Sequence, residues 1–588
     1  MSNYCCQNCG EISTTLFMRK ASDFSKNYKG IRDGNISICQ RCEDCFEGSE
    51  KSLKEILSSD HKKKLILGGP GTGKTFLFKN VIENLPKNTN ILVITFINNL
   101  VNDLKKQLSK ISNRKVEVRT LHGFCKNFLL REIHLYEYFP ELPRIIEDDA
   151  FLLEFDFKEG KFNRALVNLE KVNDGIKFYL SRSTYYNSVG HDDAVYRVFL
   201  YLSENNIVIP QYSQVIVDEY QDFNFLESSL IELIGQENKI IIAGDDDQAL
   251  YRFKSASSDF IRRLYHDEHF KNLFLPFCRR CTSVLVGAAN GFISSAKEKG
   301  LLDGRIEKEF KCYWTDNFFN SRKYPKIFLG KCSADSVVSK YIKEKILSTV
   351  KEENIQPSEK DEPEFLIVGP PRIPHYLQEV NDSLVKDKMI DKNIFNIEFK
   401  KELQRLSIDE GYEFIKKDSN SNLGWRIVMY KDRIDTSLEK DKEIISKSLN
   451  GKSIIDLLPE RYINRHREKV KNISLMETES PEDSLDRKIK IKLTTYLGAK
   501  GLSANHVFVL GLENGIFPKD PNNISDDEAC QFIVLLTRAR KSLSILSVDK
   551  RFNKKFKRRI VTLSSFISMV PGRFFKIKNV NASNFNKL

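Results

Sequence analysis

The segment Gly68-Gly69-Pro70-Gly71-Thr72-Gly73-Lys74-Thr75 lies between the apolar run Leu65–Leu67 and an apolar, helix-like stretch. It fits G-x4-G-K-[ST] in a strand–loop–helix context. Such a loop aims backbone N–H groups, here around Gly69, Gly71, Thr72 and Gly73, at phosphate oxygens, and the following helix adds its positive end. Lys74 then reaches the β- and γ-phosphates, and Thr75 offers a hydroxyl to Mg²⁺. A second run, Val215-Ile216-Val217-Asp218-Glu219-Tyr220-Gln221-Asp222, ends an apolar strand in carboxylates. Asp218 suits Mg²⁺ held through water, and Glu219 suits a general base that polarises an attacking water. A lone Asp-Glu pair is usually surface charge; downstream of a phosphate loop the catalytic reading prevails. A third run, Ile240–Gln248, ends in Asp245-Asp246-Asp247-Gln248. Three adjacent acids suggest a metal or a sensor, and Gln248 can bond the γ-phosphate or the water. Tyr251 and Phe253 follow closely; taken alone they read as core.

Cysteine supplies a separate chemistry. Six of the 12 cysteines fall in the first 45 residues: Cys5, Cys6, Cys9, Cys39, Cys42 and Cys45. Cys6-x2-Cys9 and Cys39-x2-Cys42, with 29 residues between them, have the spacing of two zinc-ribbon knuckles. Cys5 or Cys45 could replace one ligand. Cys39-x2-Cys42-x2-Cys45 also matches spacings seen around iron–sulfur clusters. Six unrelated free thiols are the plain alternative. The remaining cysteines are scattered, as in a reducing compartment.

The elements that must position these residues are legible as short apolar runs separated by helical stretches. Strands are expected at Leu65–Leu67, Ile91–Phe96, Val116–Thr120, Val215–Val217, Ile240–Ala243 and Leu273–Pro276. Further ones follow at Lys326–Leu329, Phe365–Val368, Ile491–Thr495, Val507–Leu510 and Leu543–Leu546. Nearly continuous Val/Ile/Leu marks parallel strands covered on both faces, so the class is α/β. At 588 residues, 41% hydrophobic and 29% charged, the chain has ordinary globular composition. Nothing approaches the roughly 18–20 apolar residues of a membrane span. The polar N-terminus lacks a secretory apolar region, so a cytoplasmic protein is expected. A net charge of +13 hints weakly at a polyanionic partner, and Lys550–Leu588 holds eleven Lys/Arg and no Asp/Glu.

Taken in order, GGPGTGKT, ILVITFINNL, TLHGFC, VIVDEYQDF, GDDDQALYRF, LPFCRRCTSVLVGAAN, TTYLGAKGLSANHVFVLGLENGIFP and LLTRARKSL resemble a superfamily 1 DNA helicase of the UvrD/Rep/PcrA type. The resemblance runs from residue 65 to 547. It implies two RecA-like P-loop NTPase motor domains with mostly helical insertions, beside the small Cys-rich zinc module. The expected order is a zinc module over 1–48, motor 1 over 49–124, a 1B-like insertion over 125–210, and motor 1 again over 211–270. Motor 2 then takes 271–384, a 2B-like insertion 385–488, and motor 2 with the basic C-terminus 489–588. The resemblance implies ATP, Mg²⁺ and single-stranded DNA or its duplex junctions as partners, and 3′→5′ movement. Arg280 and Arg538 match two arginines that touch the γ-phosphate from motor 2, beside Glu219 and Gln248. Thr95, Phe96, Thr120, His122, Tyr251 and Phe253 match DNA-contacting positions, although His122 fits a hydrogen-bonded core histidine equally well. A rival class is an ATP-switched binding subunit that recruits a protein partner through the Cys-rich head without unwinding.

Several positions depart from the family. No Gln occurs from residue 46 to residue 73, where an adenine-reading Gln is usual. Asn99 replaces a Lys, Leu497 a His, Ser503 a Glu, Phe253 a Trp and Lys254 an Arg. A site that hydrogen-bonds a base edge rejects analogues by about 10⁴–10⁵, whereas apolar discrimination is far weaker. The expected outcome is relaxed base preference: kcat/KM for GTP within about a hundredfold of ATP on the same single-stranded DNA. A preference for ATP above about a thousandfold would mean that another group reads adenine.

Overall fold

The computed structural model describes residues 4–9, 11–20, 35–96, 101, 105, 115–133, 137–204, 209–250, 257–358, 362–371, 374–386, 394–399, 406–434, 438–476, 488–551 and 559–581. Each expected apolar run becomes a strand, and the strands assemble into two parallel sheets. The first contains β1 (Lys63–Gly68), β2 (Asn90–Thr95), β3 (Lys115–Thr120), β4 (Gln214–Val217), β5 (Ile240–Gly244) and β6 (Lys271–Leu275), in the order β6-β1-β5-β4-β2-β3. The second contains β7 (Ile327–Cys332), β8 (Phe365–Gly369), β9 (Phe395–Phe399), β10 (Ile489–Thr495), β11 (Ala504–Leu510), β12 (Ala539–Val548) and β13 (Phe575–Val580). Its order is β9-β10-β8-β11-β12-β7-β13. Helices cover both faces, so central strands such as Ile91–Ile94 are wholly buried. This is the two-motor α/β architecture. Among the described residues no helix is long and apolar enough to cross a membrane.

The registers move two of the expected boundaries. β6 pairs with β1, so the first motor extends through Leu275 rather than ending at 270. β9 pairs with β10, so the segment 385–488 contains a strand of the second sheet, ahead of the helix Ile408–Lys417. β9 and β13 were not legible as strands. Both are edge strands, and their polar alternation (Phe-Asn-Ile-Glu-Phe and Phe-Lys-Ile-Lys-Asn-Val) lacks the continuous apolar signature of buried ones.

The helical insertions meet one another. The first includes helices Leu142–Leu152 and Asp174–Tyr185; the second includes Asn422–Lys431 and Glu439–Ser448. They share one apolar core and a buried ion network. Asp149 accepts from Arg426 Nε at 2.7 Å, Arg182 Nε at 2.8 Å and the Tyr186 hydroxyl at 2.7 Å. Arg182 also donates to Ser448 Oγ at 3.0 Å, and Arg426 and Arg433 both bond Asp148. Burial opposes charge on Arg182 and Arg426, but Tyr186 and Asp149 beside Arg182, and Asp149 and Tyr186 beside Arg426, keep both above the ordinary arginine range. Removing one member of a buried ion pair costs about 3–5 kcal/mol, because its partner stays buried and unpaired. Arg426→Ala should therefore lower the urea midpoint of the insertions sharply. Lys442→Ala, which breaks the exposed pair with Glu154, should leave it unchanged.

Candidate active site

The phosphate loop follows β1 and opens α2 (Lys74–Asn84). Gly71 and Gly73 have φ of 71° and 92°, the left-handed region that glycine enters without strain. A side chain at Gly71 is excluded twice over, since a Cβ there would lie 2.4 Å from Arg280 Cβ. Thr72 Oγ1 donates to the Gly69 carbonyl at 2.9 Å, and Lys74 Nζ donates to the Gly68 carbonyl at 3.0 Å. Lys74 is thus folded over its own loop, 4.0 Å from Glu219. Thr75 stands half-buried in the first turn of α2.

Asp218 and Glu219 leave the end of β4 beside this loop. Burial, then the neighbouring charge of Glu219, pushes the Asp218 carboxyl up to about 7. Burial also penalises Glu219, yet Lys74 and Lys500 outweigh it and hold that carboxylate below its ordinary range. Two adjacent acids are thereby driven apart in basicity. Glu219 sits at φ 54°, a costly conformation for a non-glycine residue. It is held there from both sides: its N–H donates to Asp218 Oδ1 at 2.9 Å, and Gln221 Nε2 donates to its Oε2 at 2.6 Å. Gln221 Oε1 accepts in turn from the Asp245 N–H at 3.0 Å, which ties β4 to β5.

The second motor reaches into this cleft. Gln248 Nε2 donates to Asp245 Oδ2 at 2.7 Å, and Gln248 Oε1 accepts from Arg538 Nη2 at 3.3 Å. Burial, then the like charge of Arg280, pushes the Arg538 guanidinium down to about 9. Incoming anionic phosphate would relieve that repulsion. Arg280 abuts Gly71, and the preceding Arg279 N–H donates to the Gly71 carbonyl at 2.9 Å. Cys281, next in line, donates its thiol to the Thr537 carbonyl at 3.4 Å, so the two arginine loops touch.

The structure changes the reading of the acid run. Lys308 Nζ lies 3.0 Å from Asp245, 2.5 Å from Asp246 and 2.9 Å from Asp247. Arg305 clasps Asp247 with bonds of 2.7 and 2.9 Å, and Arg262 reaches Asp246 at 3.2 Å. The Lys308 ammonium group therefore lies among the three carboxylates that suggested a metal or a sensor. Sequence reasoning also missed Lys500, which donates to Asp222 Oδ1 at 2.6 Å and to the Gln248 carbonyl. It comes from the turn between β10 and β11 of the second sheet, inside the run TTYLGAKGLSANHVFVLGLENGIFP, whose other positions drew attention first.

The positions matched to DNA contacts are scattered in environment. Thr95 is buried, with Oγ1 unpaired, and half-buried Phe96 packs edge-on against Phe223 at 5.7 Å. Thr120 caps a helix by accepting from the Gly123 N–H at 3.0 Å. His122 is half-buried and stacked on His191, with ring centroids 3.5 Å apart and Nε2 3.6 Å from Glu227. Tyr251, Phe253, Lys254 and Asn99 lie outside the described residues. Of the other departures, Ser503 accepts from Arg540 at 2.9 Å, and Leu497 packs against the core of the second motor.

In the head, Cys6, Cys9, Cys39 and Cys42 are all buried, with their sulfurs within 4.8 Å of one another. Cys6–Cys42 is 3.9 Å and Cys9–Cys39 is 3.6 Å. A tetrahedral site with metal–sulfur bonds of about 2.3 Å has sulfur–sulfur edges of about 3.8 Å, so the donor set fits such an ion. Hydrogen bonds from Cys42 and Cys9 hold the Cys6 thiol well below its ordinary range, while burial pushes Cys39 up to about 12. Cys5 is exposed, and Cys45 turns its thiol to the Cys312 carbonyl at 3.8 Å. Neither belongs to the group of four.

Comparison with known proteins agrees with this arrangement. Residues 54–254 match the model of an AAA domain, and residues 390–550 match a UvrD-like helicase C-terminal domain. A probable DNA helicase II homolog of Mycoplasma capricolum is 24% identical across 85% of this chain and 84% of its own length. The ATP-dependent DNA helicase Rep of Buchnera aphidicola (from Schizaphis graminum) is 24% identical across 82% and 90%. DNA helicase II of Escherichia coli is 26% identical across 45% and 41%. With two parallel motor sheets, a phosphate loop facing Asp218 and Glu219, and these matches along most of its length, the chain belongs to the UvrD/Rep-type superfamily 1 helicases.

Proposed function

We propose that the protein is an ATP-dependent DNA helicase that moves 3′→5′ along single-stranded DNA and unwinds duplex ahead of it. One observation carries this reading: Lys74, Glu219 and Gln248 of the first motor face Arg280 and Arg538 of the second across one cleft. Backbone N–H groups of Gly69, Gly71, Thr72 and Gly73 cradle the triphosphate, and Lys74 leaves its carbonyl partner for the phosphates. Thr75 and Asp218 would hold Mg²⁺, which would supply positive charge against the phosphates. Glu219, kept ionised by Lys74 and Lys500, takes the proton of the attacking water. Gln248 orients that water, while Arg280 and Arg538 stabilise the charge that develops on the transferred phosphoryl group. Arginines so placed are worth about 10³–10⁵ in rate. Since they arrive from the second motor, hydrolysis and the relative motion of the two sheets are linked.

The DNA runs over the motors past Thr95, Phe96, Thr120 and His122, with Tyr251 and Phe253 stacking on bases. Stacking contributes about 1–3 kcal/mol per base and tolerates any sequence, as stepping requires. The helical segments within 125–210 and 385–488 serve as the accessory insertions, and the protein works in the reducing cytoplasm. The head holds one Zn²⁺ through Cys6, Cys9, Cys39 and Cys42.

Glu219→Gln should retain ATP binding and lose hydrolysis, measured by fluorescent-nucleotide titration and by ATPase rate on single-stranded DNA. A wild-type rate would overturn the base assignment. Strand displacement on a duplex with a 3′ tail, absent on a 5′ tail, tests the direction. Elemental analysis of protein purified without chelator should find one zinc per chain, and none with Cys39→Ser plus Cys42→Ser.

A further inference from the structure

The Cys-rich head does not stand apart from the motor. α1 (Gln40–Ser58) starts immediately after Cys39, carries Cys42 in its first turns, and runs on towards β1 and the phosphate loop. Around the four cysteines the core is completed by Tyr313, Trp314 and Phe318, which belong to the second motor's first segment. Asn8 Nδ2 lies 3.4 Å from the Cys42 sulfur and 3.3 Å from the Thr315 carbonyl, so one amide touches a ligand and the motor together. The Arg41 guanidinium stacks 3.5 Å from the Trp314 ring centroid.

From this interface a short chain of contacts leads to the catalytic cleft. Gly48, midway along α1, lies against the Phe277 ring: a Cβ there would be 2.7 Å from Cε2 and 2.8 Å from Cζ. The next residue, Ser49, accepts from Arg279 Nη2 at 3.0 Å. The Arg279 guanidinium also stacks 3.9 Å from the Tyr313 ring centroid, and Tyr313 N–H donates to the Cys278 carbonyl at 2.8 Å. Phe277, Cys278 and Arg279 are the residues that deliver Arg280 to Gly71.

We propose that the four-cysteine head is a positioning element of the ATP site, setting the 277–281 loop through Gly48, Ser49 and Phe277 so that Arg280 meets the γ-phosphate. The proposal rests on the reading of Arg280 as a γ-phosphate contact. It assigns the head a role within the motor, independent of any partner. Gly48 and Phe277 are positioning residues; neither reaches the nucleotide.

Gly48→Ala is the discriminating variant. Alanine is the better helix former, so α1 itself gains by the change, and any loss must come from the Phe277 contact. On full-length protein the expected result is a kcat lowered about tenfold or more, since displacement of about 1 Å at a catalytic group costs up to about 10². ADP affinity, bound zinc and melting temperature should stay at wild-type levels. Phe277→Leu in the Gly48→Ala background should restore kcat by making room for the Cβ, and Ser49→Ala should lower kcat in the same direction with less effect. Wild-type kcat in Gly48→Ala, alongside a large loss in Arg280→Ala, overturns the positioning role and leaves the arginine assignment intact. Wild-type kcat in Arg280→Ala overturns the arginine assignment and the proposal with it. A loss of kcat that tracks lost zinc or lost ADP binding, and that Phe277→Leu does not rescue, overturns the proposal in favour of a folding role.

Discussion

Buried carboxylates at the ends of β4 and β5 impose the constraint on which the rest of the active site depends. Asp218, Asp222, Asp245, Asp246 and Asp247 are almost wholly removed from solvent. A buried charge without a partner is expensive, so each needs a cation, a hydrogen-bond donor or a bound ion. Most of the compensating cations come from beyond the first sheet. Lys308 and Arg305 follow the helix Ser283–Glu298, and Lys500 lies between two strands of the second sheet. The two motors are therefore joined by electrostatics at the place where phosphate must enter.

That arrangement makes the cleft responsive to its ligand. Lys74 is parked on the Gly68 carbonyl, Arg538 is destabilised by burial and by Arg280, and Asp218 is raised by burial beside Glu219. Each group is in an environment that an anionic phosphate or a divalent cation would improve. Binding energy drawn from these contacts would pull on Gln248, Arg280 and Arg538 together, because Cys281 bonds Thr537 and Arg538 bonds Gln248. The shared core and ion network of the two insertions give the motors a second, rigid connection away from the nucleotide.

The head illustrates how a small module gains stability. Its described strands are short, and exposed Tyr4, Ile12 and Met18 leave little apolar surface for a core of its own. It completes that core with aromatic residues borrowed from the motor, and its four thiols provide the donor set of a tetrahedral ion. A module built this way cannot be displaced without disturbing the segment from Phe277 to Phe318.

The sequence by itself determined the phosphate loop, the Asp218–Glu219 pair, the α/β class and eleven of the thirteen motor strands, because each is a local pattern. A glycine turn before a helix, and a run of buried aliphatics ending in acids, need no distant residue to be recognised. The Cys-x2-Cys pairs were legible for the same reason, but two further cysteines competed as ligands, and only the fold set them apart, with Cys5 exposed and Cys45 turned to the Cys312 carbonyl. Tertiary structure alone decided what neutralises Asp245–Asp247, which sequence reasoning took for a metal or sensor site and the fold fills with Lys308. It alone brought in Lys500, which is 278 positions from Asp222 along the chain. It alone placed the edge strands β9 and β13, whose alternating patterns look like surface until a neighbour pairs with them. The division is physical: backbone conformation and local burial are written in adjacent residues, whereas charge compensation depends on which distant side chain reaches the same buried point.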